Sequence, residues 1–199
     1  AGILFGLIGP TTKIAYNSGA SVALTIFLRY AVASIIIVPF IPYQKNLLEI
    51  FKKNLKYFLS ISAGSILLTL GLLTSVIFIE VSLTILIFCL YPIYVLLFSI
   101  IVDKEKISLT VKILFFVTFL GIVLVIGPSF KVINIVGILL AFLASLGSTS
   151  MIIVNQKMSI KGISPIPINI FINVFNTFFF FVILKIFFSL NFNFDINIY

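Results

Sequence analysis

The stretch "VSLTILIFCLYPIYVLLFSIIVDKEKIS", residues 81–108, decides what kind of protein this is. From residue 82 to residue 102 it carries no charged side chain, and it then turns abruptly into Asp-Lys-Glu-Lys. At 1.5 Å per residue a helix over that run is about 31 Å long, close to the ~30 Å thickness of a hydrocarbon core. A soluble amphipathic helix would show a polar stripe and a half-buried strand would alternate; the run does neither. It reads as a membrane span closed by a charged loop.

The rest of the chain repeats that design. Its 199 residues are 62% hydrophobic and 9% charged, with a mean hydropathy of +1.34, whereas globular domains run at about 45–50% apolar and about 25% charged. Hydropathy divides it into seven apolar segments, at 1–17, 19–42, 57–79, 82–102, 109–128, 132–154 and 165–190. The separators are short and polar: "PYQKNLLEIFKKNLK", "DKEKIS", "GPSFKVIN" and "NQKMSIKGISP". Loops of that length force neighbours to run antiparallel, so the expected fold is all-α, a polytopic transmembrane helix bundle. The first segment starts at Ala1 with no basic region ahead of it, which sets it apart from a signal peptide, and we expect its first helical turn to precede the sequence.

Nine of the thirteen basic residues fall on one side of such a bundle: Lys45, Lys52, Lys53, Lys56, Lys104, Lys106, Lys112, Lys157 and Lys161. Positive-inside bias places that side, and the start of the first helix, in the cytoplasm of a cell-membrane protein. The same lysines suit attraction to anionic lipid headgroups. The net charge of +8 is therefore a topology signal, and no basic stripe or aromatic platform for nucleic acid accompanies it.

The catalytic inventory is thin. There is no histidine, one cysteine and five acids, so neither a zinc site nor a Ser-His-Asp arrangement can be assembled. We expect no enzyme, no metal and no cofactor. Cys89, alone, reads as a small buried hydrophobe.

What stands out is polarity inside the apolar segments. Arg29 lies about ten residues into the second segment, where translocon scales charge ~2.5–3.5 kcal/mol for a central arginine, so it should face protein or water. Two readings stand for it: a tie to carbonyls or to Glu80, or a contact for anionic groups of a substrate. Lys13 either snorkels to the outer surface or meets a vestibule, and Lys185 snorkels. Asn169, Asn173 and Asn176 stand at i, i+4 and i+7, on one helical face that should point inward, as interhelical hydrogen-bonders or as the lining of a hydrated cavity. Pro92 sits mid-span between Tyr91 and Tyr94 and should bend its helix, with the two hydroxyls as cavity candidates. In "GLIGPTTKIAYN", residues 6–17, Gly9 and Pro10 should loosen the first helix as a hinge, with Thr11 and Thr12 satisfying freed backbone groups. Small residues mark packing faces: Ser60, Gly64, Gly71 and Ser75 in the third segment, and Gly137, Ala141, Ala144, Ser145, Ser148 and Thr149 in the sixth.

The order of "GLIGPTTKIAYNSG", "LTIFLRYAVASIIIVPF", "EVSLTILIFCLYPIYVLLFSIIVDKEKIS", "GIVLVIGP" and "VGILLAFLASLGSTSMIIVNQKM" resembles the EamA-like branch of the drug/metabolite transporter superfamily. The marks are Lys13, the Leu28-Arg29 pair, Pro92, the run Glu105 to Ser108, and Gly121; Phe5 replaces the usual Trp, and Glu80 stands where a neutral residue is usual. The resemblance implies ten helices in two five-helix inverted repeats. On it, 1–128 is the first repeat and 132–199 the start of a truncated second, about seven helices of the ten. It also implies a transporter of a small metabolite or drug-like solute working by alternating access, with the solute and the lipid bilayer as partners. The second reading is a non-transporting sensor or receptor-like bundle. No residue pattern specifies an oligomer.

Overall fold

The computed structural model describes residues 8–37, 39, 41, 46–102, 104, 108–126 and 134–187. These form helices α1 (Ile8–Asn17), α2 (Val22–Ile37), α3 (Leu47–Lys53), α4 (Leu55–Phe78), α5 (Val81–Phe88), α6 (Tyr91–Ile101), α7 (Leu109–Ile126), α8 (Ile135–Ile160) and α9 (Pro165–Phe187), with no strand among the described residues. Four units are long and apolar enough to cross a membrane: α4, α5 with α6, α8 and α9; α2 and α7 are apolar as well. The all-α bundle expected from hydropathy is what is seen. Its outer faces carry side chains that only a lipid environment accommodates in such number, among them Ile35, Ile101, Leu124 and Phe178.

Two expectations about single segments are revised. The fourth segment is one span, Val81–Ile101, but its helix is interrupted inside it: Cys89 and Leu90 form a tight turn between α5 and α6, with Leu90 N–H on Ile87 O at 3.1 Å and Ile93 N–H on Leu90 O at 2.9 Å. Pro92 lies in the first turn of α6, where a missing N–H costs nothing, and its ring excludes the carbonyl four residues earlier. The bend is thus a break placed just before the proline. The separator after the second segment, in turn, holds a helix of its own, α3, with Glu49 in its first turn and Lys52 and Lys53 in its last.

Local chemistry explains where the other helices start and stop. Asn134 caps α8, its side chain accepting from Val136 N at 2.9 Å and Gly137 N at 3.4 Å, and Ser21 and Ser108 do the same for α2 and α7. α8 ends in a Schellman turn: Gly162, at φ 74°, donates to Ser159 O and Ile163 to Met158 O, and Pro165 then opens α9.

The centre of the bundle is the antiparallel pair α4 and α8. A Cβ on Gly71 would lie 2.5 Å from Leu140 O and 2.8 Å from Ala144 N; one on Gly147 would lie 2.6 Å from Leu68 N and 2.7 Å from Gly64 O. Only hydrogen fits at these crossings, so the backbones meet directly, with Ser75, Ala141, Ala144 and Ser148 buried along the seam. The turn between α4 and α5 is folded onto the start of α8, where Phe78 and Ile79 crowd Gly137, and Ser75 Oγ donates to Thr84 Oγ1 at 3.1 Å across the corner. On the other flank α9 packs antiparallel to α2 through Phe27 with Phe181, Tyr30 stacked on Phe180, and Ser34 with Thr177 at 3.0 Å.

Candidate functional site

The position of Arg29 follows from its neighbour. Tyr30 is buried, and its hydroxyl lies 2.7 Å from both Ser65 Oγ and Thr69 Oγ1 of α4. The Tyr30 hydroxyl also reaches Ser65 O at 3.2 Å, and Thr69 donates to the same carbonyl at 2.8 Å. Together with Ile26, also fully buried, this anchors one face of α2 on α4 and α9. A residue one position away is rotated by about 100°. Arg29 is therefore turned off the core and is exposed.

The face it shares with Thr25, Leu28 and Val32, at i, i+3, i+4 and i+7, is one wall of a groove of about 510 Å³. Thr11 and Thr12 of α1 form the other wall and Leu73 of α4 contributes to the lining. Tyr16 ties α1 to α4 by donating to Leu73 O at 3.1 Å, which holds this edge of the groove. The lining thus combines one guanidinium, three hydroxyls and an apolar remainder, a composition that binds an anionic or hydrogen-bonding group on a mostly apolar solute.

The other anticipated positions are distributed differently. Lys13 is exposed and does not line the groove. Among the described residues Arg29 forms no ion pair with Glu80, which is half-buried at the start of α5. Gly9 and Pro10 lie in the first described turns of α1, and a Cβ on Gly9 would meet Val81 Cγ1 at 2.5 Å, so Gly9 serves a close approach between α1 and α5. Tyr91 is packed with Leu72, Phe88 and Ala144, its carbonyl accepts from Thr149 Oγ1 at 3.3 Å, and Tyr94 faces Phe142 with ring centres 6.5 Å apart. Neither tyrosine belongs to the groove. Pro92 borders a separate apolar cavity of about 230 Å³ between the start of α6 and α7, beside Cys89 and Thr118. Lys185 is exposed near the end of α9, as a snorkelling lysine is.

The three asparagines of α9 do not act together. Asn169 is exposed and Asn173 half-buried, and each donates its amide to the carbonyl four residues back, at 3.0 and 2.8 Å. Asn176 alone points fully inward, on the buried stripe of Ile168, Ile172, Phe180 and Leu184. Neither its Nδ2 nor its Oδ1 has a hydrogen-bond partner among the described residues. The expectation of one inward amide face is corrected accordingly: the first two amides each spend one N–H on their own helix backbone, and Asn169 is turned out of the core with Asn173 at its edge.

Sequence reasoning singled out Arg29 but not Thr25, Val32 or Leu73. The first two were legible as a helical repeat around Arg29; Leu73 comes from another helix and carries no local signal.

Among known families, residues 1–127 match the EamA-like transporter family. The chain belongs to the EamA-like transporter family. The match spans Lys13, Arg29, Pro92 and Gly121, and with it the whole α1–α2 groove, in a multi-pass membrane protein of transporter type. No curated protein and no solved structure matches the chain.

Proposed function

We propose that this EamA protein moves a small metabolite or drug-like solute across the cytoplasmic membrane by alternating access, and that the solute engages the groove between α1 and α2. The observation that carries the reading is the convergence of Arg29 with Thr11, Thr12 and Thr25 on one accessible groove within the membrane-embedded part of a transporter-family chain. An arginine there, unpaired with any carboxylate among the described residues, is energetically costly unless water or an anionic group meets it. Residues 1–128 serve as one five-helix repeat and 132–199 as the opening of an inverted second, the lysine-rich loops facing the cytoplasm. Tyr91, Tyr94, Asn169 and Asn173 remain candidates for solute contact in another state of the cycle, with the α5–α6 break at Pro92 and the Gly9-Pro10 turn as its moving parts.

The test is the metabolite profile inside and outside cells producing the protein, beside Arg29→Ala brought to equal membrane abundance. A solute that redistributes with the wild type and at least tenfold more slowly with the variant is the expected result. Redistribution at wild-type rate in Arg29→Ala refutes the role of the groove; no redistribution in either, across a broad solute panel, favours a non-transporting sensor.

A further inference from the structure

The far end of α4 carries a second cavity, of different character. Asn54, the residue preceding α4, lines it; Leu73, in the Arg29 groove, lies nineteen residues on, about 28 Å along the helix. The cavity encloses about 690 Å³ between α3, the start of α4 and the α8–α9 turn, and its polar lining is Asn46, Glu49, Lys53, Asn54, Lys161 and Ser164. Two cations from distant parts of the chain therefore converge on one space. Lys161 Nζ is held 4.0 Å over the Tyr57 ring, and Glu49, the one carboxylate in the lining, closes no ion pair with either lysine among the described residues. The Schellman turn at Gly162 ends α8 sharply, so that the start of the 23-residue α9 lies at the rim, with Ser164 and Pro167 in the lining.

Flanking three of the lining positions in sequence, the side chains are hydrocarbon and exposed. Leu48, Leu55 and Ile160, each next in sequence to a lining residue, are 73%, 47% and 80% exposed. A small soluble anion would use the slot and leave that rim in water. A ligand with an anionic head and hydrocarbon tails uses both. We infer that the cavity binds the phosphodiester of an anionic phospholipid, Lys53 and Lys161 holding the phosphate and Leu48, Leu55 and Ile160 the first methylenes of its chains. The bound lipid bridges α3 to the α8–α9 turn. α3 is otherwise fastened to the bundle by Phe51, whose ring meets Phe58 and Phe171 at 4.8 and 5.2 Å.

Native mass spectrometry of the full chain released from detergent, with phosphatidylglycerol, phosphatidylcholine or inorganic phosphate supplied separately, tests this. The expected result is retention of phosphatidylglycerol over phosphatidylcholine, at least tenfold weaker in Lys53→Gln/Lys161→Gln and unchanged in Lys104→Gln/Lys185→Gln. Leu48→Ser, at a solvent-facing position that leaves the fold intact, weakens phosphatidylglycerol severalfold. Equal retention by the Lys53/Lys161 variant and wild type, equal loss in the Lys104/Lys185 control, or no preference over phosphatidylcholine overturns the site. Binding of inorganic phosphate as tight as that of the lipid overturns the assignment to a phospholipid. None of these readings depends on transport.

Discussion

A single residue can be worth more to this protein for what it lacks than for what it touches. Asn176 is fully buried in the α9 stripe with neither amide atom paired among the described residues, and an unsatisfied buried polar group costs about 1–3 kcal/mol. Asn176→Leu keeps the branching and heavy-atom count of the side chain and removes that cost. It should raise the thermal unfolding midpoint of the purified protein, by about 2–4 °C per kcal/mol gained in a chain of this size. If the same variant also slows solute movement, the amide is retained because α9 offers it a partner in another state; a lower midpoint would mean that the amide is already paired. Arg29 presents the converse case, a cost that is met by exposure to the groove. Arg29→Lys keeps the charge but loses the planar fork, so we expect transport intermediate between wild type and Arg29→Ala; a lysine variant as slow as alanine would mean that guanidinium geometry, more than charge, is recognised.

At the scale of elements, the α4–α8 seam decides how the bundle is assembled. Its glycines are not interchangeable with the others in the chain. A Cβ at Gly71 meets the backbone of α8 at 2.5 Å, whereas one at Gly121 in α7 meets nothing within 4 Å. Gly71→Ala must therefore push two helices apart, at a cost of about 1–3 kcal/mol, and Gly71→Leu should abolish monodisperse protein in detergent. Gly121→Ala should leave yield and unfolding midpoint unchanged or slightly higher, since alanine is the better helix former by about 1 kcal/mol. Size-exclusion profiles and thermal midpoints of the three variants check this; equal tolerance at both positions would remove the seam from its central place. The α5–α6 break belongs to the same scale, since Pro92 was visible in the sequence and its ring places the turn at Cys89–Leu90.

For the whole molecule, the charge asymmetry predicts a direction. With Cys89 replaced by Ala as background, a single cysteine at Ser18, between α1 and α2, should react with a membrane-impermeant maleimide on intact cells, and one at Ser164, in the α8–α9 turn, only after permeabilisation. The reverse pattern would invert the topology and place the lysine-rich cavity on the outer leaflet.

Much of this was readable from residue types alone. Uninterrupted apolar runs, the lysine-rich loops and the small-residue faces follow from the absence of water in the bilayer core, a constraint each segment meets locally, so they determined a helical membrane bundle, its packing residues and the interest of Arg29. The family marks from Lys13 to Gly121 lie within the matched span. What tertiary structure alone decided was the partner of each face: Tyr30 anchored on α4 so that Arg29 turns outward, Thr11 and Leu73 brought to one groove, Asn176 separated from Asn169 and Asn173, Lys53 joined to Lys161. Periodicity places a side chain on its own helix to within tens of degrees. Which other helix it meets depends on a backbone approach set by glycines elsewhere in the chain, and no local pattern encodes that.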